Sequence, residues 1–243
     1  MPVGIAAGSR GPIYLVYGFY VHPGSNWRAV MAGQIADLRR FGLLDRAALS
    51  IVITDPHNTA GVADFAAGLC EAPATIIVHD ENRYEYWALH HLWTLACAHP
   101  DGRVAYLHSK GISRNIRVRS RVERALTRGT FEHWERWLML MERDGIALAG
   151  MFPASGGWVW YNFWWATASY LASLPEPEVT ADRYAYESWV GRGACGAARE
   201  GLSTFSGCVR AYSAGEADSQ MHQMTHWSVS QHPWFRRLIE AVR

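Results

Sequence analysis

Four groups of side chains in this 243-residue chain have the types and spacing to do chemistry. The first is His108-Ser109-Lys110-Gly111. An ammonium there can neutralise a phosphate oxygen, and the neighbouring imidazole can donate to the same group or bind a metal. The glycine lets the backbone turn sharply or approach a ligand closely. Lys110 also stands out by count, because 22 of the 23 basic residues are Arg and it is the one Lys. Arg and Lys differ as phosphate ligands, a planar fork against a compact point charge. Coding bias and an ordinary turn with a surface Lys would leave the same trace, since short motifs are weak alone.

The second group is Trp158, Trp160, Tyr161, Asn162, Phe163, Trp164 and Trp165. On a strand, alternation would bury one side of this run and expose the other. Exposed rings stack on sugars or bases, and Asn162 offers both a donor and an acceptor to a polyol. An aromatic core is the competing use of the same rings. The third group, Arg183-Tyr184-Ala185-Tyr186-Glu187-Ser188-Trp189, puts Arg183 and Glu187 four apart, as a surface ion pair would. It also suits Glu187 as a general base, its proton affinity raised by the surrounding aromatic surface. The fourth is the arginine run 114–128, in which Arg117, Arg121, Arg124 and Arg128 fall on one helical face with Glu123 as the acidic offset. Such a stripe is usually a solvated helix face; an anionic acceptor, lipid surface or nucleic acid would also fit it. His222, His226 and His232 are weak metal candidates without a partnering acidic pair.

The elements that must position these groups alternate between strand-like and helix-like. Strands are expected at 13–20, 49–54, 75–78, 103–107 and 145–152, and helices at 27–41, 59–69, 84–98 and 118–141. Asn26 caps the first helix and Gly42 stops it. Beyond 158 the chain is aromatic-rich, with a short helix at 183–190, a loop-rich stretch at 191–207 and a helix-like tail at 234–242. Strand–helix alternation with short turns predicts right-handed crossovers and a mainly parallel sheet. Ligands bind beyond the carboxyl ends of such strands, and here those ends carry His22, Asp55, His79 with Asp80, and His108 with Lys110.

Composition bounds the rest. With 49% hydrophobic and 19% charged residues the chain can bury a real core, and a net charge of +1 argues against a general nucleic-acid binder. Four scattered cysteines predict reduced thiols. No apolar run is long enough to span a membrane and Met1 to Gly11 lacks a signal-peptide pattern, so a cytoplasmic protein is expected.

In order and spacing these blocks resemble a group of GT-A-like glycosyltransferases whose recurring pattern is an acidic-aromatic helix start, a strand ending YxHxKG, an FWWA segment followed by YL and LP, and RYxYExW. The residues that carry it are Tyr84-Glu85-Tyr86-Trp87-Ala88-Leu89, Tyr106-Leu107-His108-Ser109-Lys110-Gly111, Asn162-Phe163-Trp164-Trp165-Ala166 with Tyr170-Leu171 and Leu174-Pro175, and residues 183–189. The resemblance runs from about 13 to 190. It implies an α/β, GT-A-like domain over 1–243, with a nucleotide-sugar-binding half at about 12–152 and an acceptor-side half at about 153–243. It further implies sugar transfer from a nucleotide-sugar donor to a glycan or other hydroxyl acceptor.

In that reading Glu187 is the general base, and Lys110 with His108 stabilises the leaving diphosphate. Tyr17, Asp55, Asp80, Asn82, Ser109 and Gly111 contact the donor. Trp158, Trp160, Asn162, Trp164, Trp165, Arg183 and Tyr184 contact the acceptor. The chain departs from ordinary GT-A enzymes where their donor-contacting strand ends in a metal-binding Asp-x-Asp, so no metal is expected to be required. Asp80 and Glu81 are candidate ligands for a Mn or Mg ion, or contacts to the base and ribose. Peripheral membrane contact through the arginine stripe is a further expectation, and nucleic acid is not expected. A non-catalytic carbohydrate- or partner-binding module on the same fold is the runner-up.

Overall fold

The computed structural model describes residues 11–193 and 201–230, with side chains to residue 225. Strand β1 (Ile13–Tyr20) is the hub. Its β-branched and aromatic residues alternate between two buried layers: Leu15, Tyr17 and Phe19 face one and Val16 the other. The chain leaves β1 through α1 (Trp27–Arg40), where the Asn26 side chain accepts from the Ala29 amide at 3.2 Å. It then builds β2 (Ala47–Thr54), α2 (Val62–Gly68) and β3 (Thr75–His79) outward on one side. Helix α3 (Tyr86–Ala98) carries it back to β4 (Arg103–His108) on the opposite side of β1.

After β4 come α4 (Arg121–Phe131), α5 (Trp134–Asp144), β5 (Leu148–Gly150), β6 (Trp164–Thr167), α6 (Ala168–Ala172), α7 (Tyr184–Trp189), β7 (Leu202–Ser203) and α8 (Ala214–Ser230). The seven strands form one sheet in the order β3-β2-β1-β4-β6-β5-β7. Strands β3, β2, β1 and β4 are parallel, and β6 runs antiparallel to both β4 and β5. This is an α/β, Rossmann-like arrangement with a mixed, mostly parallel sheet flanked by helices. Among the described residues no helix is long and apolar enough to cross a membrane.

Three expectations need correction. The helix over 118–141 is two helices. Ser120 caps α4, accepting from the Glu123 amide at 3.0 Å, and the backbone turns out of the helical region at His133 so that Trp134 can bury its ring and donate to the Phe41 carbonyl at 3.1 Å. Strand β5 is three residues rather than eight, because Gly145 (φ 66°) is still ending α5. The aromatic run does not present an open face. Strand β6 is interior to a sheet covered on both sides, so Trp164 packs in one layer and Trp165 in the other, both with no exposure. The expected helix at 234–242 lies outside the described residues.

Candidate functional site

The sheet's connections reverse direction between β1 and β4, and such a switch point opens a crevice at the carboxyl ends of the strands. Gly18 of β1 and His108 of β4 are register partners at that point. A cleft of ≈ 980 Å³ opens above them. One wall is the segment Ser109–Arg114, which follows β4. The cleft is also lined by Asn82, Tyr84 and Glu85 before α3, Arg183 and Glu187 of α7, and Asp218, Met221 and His222 of α8. Gly18 cannot take a side chain without cost, since a Cβ there would sit 3.0 Å from both the Ala88 Cβ and the Tyr106 hydroxyl.

The β4-end motif is built as a rigid turn. The Ser109 amide donates to the Gly18 carbonyl at 3.1 Å, and its buried hydroxyl accepts from the Tyr20 amide at 2.9 Å, tying the ends of β1 and β4 together. The Lys110 amide then closes a tight turn onto the His108 carbonyl at 2.8 Å, and Gly111 takes a left-handed conformation (φ 77°) that lets the chain enter a short 3-10 turn, Ile112–Arg114. Lys110 is half-buried with its Nζ 5.6 Å from the centre of the Tyr161 ring, and it makes no ion pair with a described carboxylate. Arg114 adds a second cation to the same wall.

The floor of the cleft is a hydrogen-bonded chain that reaches into the core. Trp164 Nε1 donates to Asn162 Oδ1 at 2.6 Å, and Asn162 Nδ2 donates to Glu85 Oε2 at 2.5 Å. The buried Tyr106 hydroxyl donates to the same Glu85 oxygen at 2.8 Å. Burial and then the Glu85 charge hold that phenol well above its ordinary range, so it stays a donor. Asn162 (φ 59°) and Tyr161 (φ 71°) are consecutive left-handed residues, a costly conformation for a tyrosine. Its effect is to aim the Tyr161 carbonyl at His108, whose Nε2 lies 3.2 Å away.

A carbonyl only accepts, so His108 carries its proton on Nε2 and presents Nδ1 as a bare acceptor. Burial pushes the imidazole below its ordinary value of 6.5 and outweighs the pull of Glu85. His108 is therefore neutral near pH 7. On the other side of the cleft the Tyr161 hydroxyl donates to Asp218 Oδ1, joining α8 to the 3-10 turn Trp160–Asn162.

Of the residues singled out by sequence, the cleft gathers His22, Asn82, His108, Ser109, Lys110, Gly111, Arg114, Arg183, Glu187 and His222. Asn162 lies one hydrogen bond below it. Tyr17 is fully buried and bonded to the Gln34 side chain at 2.5 Å. Asp55 is spent on the turn before α2, accepting from Thr59 and from the His57 amide. Asp80 is exposed and outside the cleft. Trp158, Trp160, Trp164 and Trp165 do not line it either: Trp160 donates to the Tyr212 carbonyl at 2.8 Å, and Trp165 to Thr130 at 3.0 Å. Tyr184 is exposed and bonds Arg183 at 3.0 Å, outside the cleft. The rings that do line the cleft are Phe19, Tyr20, Tyr84, Tyr106 and Tyr161.

Glu85, Gly18 and Asp218 had no role assigned from sequence. Glu85 lay inside the acidic-aromatic helix start, so its signal was present; Asp218 lies on α8, an element the sequence pattern did not reveal. The arginine stripe changes as well. Arg117 precedes α4, and Glu123 is fully buried, bound by Arg119 rather than by the stripe. Among the described residues no three His, Cys, Asp or Glu side chains gather closely enough to hold a metal ion. At the strand end the Lys110 ammonium stands beside the neutral imidazole of His108.

No curated protein matches the chain. A family model described as a domain of unknown function, DUF8361, matches residues 17–233. That span includes every residue lining the cleft and all but the first few residues of β1, and the chain belongs to the DUF8361 family.

Proposed function

We propose that the protein is a GT-A-like glycosyltransferase acting on a nucleotide-sugar donor. The observation that carries the reading is that Lys110 at the end of β4 and Glu187 on α7 line the same switch-point cleft. The acceptor hydroxyl attacks the anomeric carbon, and its oxygen–carbon bond forms as the bond to the diphosphate oxygen breaks. The electron pair leaves on the diphosphate. Lys110 and Arg114 supply the counter-charge to it, in a site preorganised by the Ser109–Gly18 bond. Glu187 takes the hydroxyl proton. Direct displacement inverts the anomeric centre. No step is routed through a metal.

Two roles shift relative to the sequence expectation. The Nε2 proton of His108 is committed to Tyr161, so His108 is an acceptor in the cleft rather than a second donor to the diphosphate. Stacking on sugar or base falls to Tyr84 and Tyr161, which line the cleft, and not to the tryptophans. A thermal-shift screen against nucleotide-sugars, with and without divalent metal, followed by a transfer assay of Glu187→Gln, tests the reading. A general base of this kind is worth about 10²–10⁴-fold in rate. Transfer should fall by that order while donor binding survives. Normal turnover in Glu187→Gln removes Glu187 from the mechanism, and a screen without hits among nucleotide-sugars removes the transferase reading.

A further inference from the structure

The Glu85 carboxylate is used on one side only. Its Oε2 accepts from both Tyr106 and Asn162, at 2.8 Å and 2.5 Å. Its Oε1 faces His108 Nδ1 at 3.7 Å, beyond hydrogen-bond length. Both atoms accept. His108 Nδ1 is a lone pair, because the ring's proton is fixed on Nε2 by the Tyr161 carbonyl. Two acceptors thus face each other on the floor of the cleft with no described donor between them, and both residues are anchored from below. Both residues line the cleft, so a ligand bound there is in place to supply the donors that these two acceptors lack. A ligand with two adjacent neutral O–H donors satisfies both atoms at once.

We propose that Glu85 Oε1 and His108 Nδ1 form a subsite for a vicinal diol of the bound ligand. The proposal rests on the transferase reading for the identity of that ligand, but not for the chemistry of the subsite. The diol belongs either to the ribose of the nucleotide or to a hexose. A pair of acceptors rejects an analogue lacking one hydroxyl because an acceptor is then left buried and unpaired.

The test is calorimetric titration of the full chain with two sets of probes. One is UDP, GDP and ADP with their 2′-deoxy and 3′-deoxy counterparts. The other is the methyl glycosides of glucose, galactose and mannose with their 2-deoxy and 3-deoxy forms. Each set is repeated on Glu85→Gln, in which the amide oxygen can keep the bonds from Tyr106 and Asn162 while the amide nitrogen turns a donor toward His108. The expected result is at least a tenfold loss on deoxygenation in the wild type, confined to one set, and no such discrimination in Glu85→Gln. The set that responds identifies the source of the diol. Wild-type affinity indifferent to deoxygenation in both sets overturns the subsite; if nucleoside diphosphates still bind, the transferase reading stands without it. Glu85-dependent glycoside binding with no nucleotide binding keeps the subsite and overturns the transferase reading. No binding in either set overturns both. The wild-type comparison stands alone if Glu85→Gln fails to fold.

Discussion

Tyr106 donates its hydroxyl to Glu85 Oε2 at 2.8 Å, and this bond joins the central strand β4 to the residue just before α3 at the base of the cleft. Removing the donor in Tyr106→Phe leaves Glu85 Oε2 with Asn162 alone. A buried group left short of a partner costs about 1–3 kcal/mol. Urea denaturation should show a loss of that order, and Gly18→Ala should move stability the same way by pushing on the same hydroxyl. Unchanged midpoints in both variants would mean the bond does not hold the floor.

Much of this was legible in the sequence. The run Ile13–Tyr20 and the 3–4 spacing of α3 specify a Rossmann-like sheet by local pattern, and topology then puts the site at the strand ends without any motif. His108 and Lys110 follow from that topology, whereas Glu187 follows from the Arg183–Trp189 motif. The tryptophans were misplaced because alternation tells which residues share a face, and not whether both faces are covered; β6 is interior, so Trp164 and Trp165 are both buried. A carboxylate before a helix, as at Glu85, has an ordinary use as a favourable charge at the helix N-terminus, so the sequence does not mark it as a site residue. Its partners come from β4 and from the 3-10 turn before β6, and pairings 21 and 77 residues apart leave no local trace.

His79, His91 and His108 are all pushed below their ordinary value of 6.5 by burial. The unfolded chain therefore binds more protons than the folded one below that value. Their contribution to stability is fully present above pH ~6.5 and is lost as pH falls from there toward the folded values. Urea midpoints should decline between pH ~7.5 and ~5.5. The decline should be shallower in His108→Gln. A midpoint that rises on acidification contradicts the neutral assignment of His108.

Two arginines near each other in sequence should behave oppositely. Arg119 binds Asp37 at 2.7 Å and Glu123 at 2.7 Å, and the Glu123 side chain is 0% exposed. Breaking a buried pair from one side costs about 3–5 kcal/mol, so Arg119→Ala should destabilise on that scale. Arg121 is exposed and makes no ion pair with a described residue, so Arg121→Ala should stay within about 0.5 kcal/mol. Thermal melts of the two variants compare them directly.

Transfer should persist in excess chelator, because the proposed mechanism gives the counter-charge role to Lys110 and Arg114. Rates measured with chelator, Mg²⁺ and Mn²⁺ should agree within a factor of about two. Strict dependence on a divalent ion would contradict the proposed assignment of charge in the cleft.

The most direct test concerns Lys110 as the group that receives a diphosphate. Titrating the wild type and Lys110→Ala with a nucleoside diphosphate and with its bare nucleoside separates phosphate contact from scaffold damage. A charge-assisted hydrogen bond is worth about 1.5–3 kcal/mol. Lys110→Ala should therefore weaken diphosphate binding by about 10–100-fold and leave nucleoside binding unchanged. Equal effects on both ligands, or none on either, would contradict the account of the cleft as a diphosphate site.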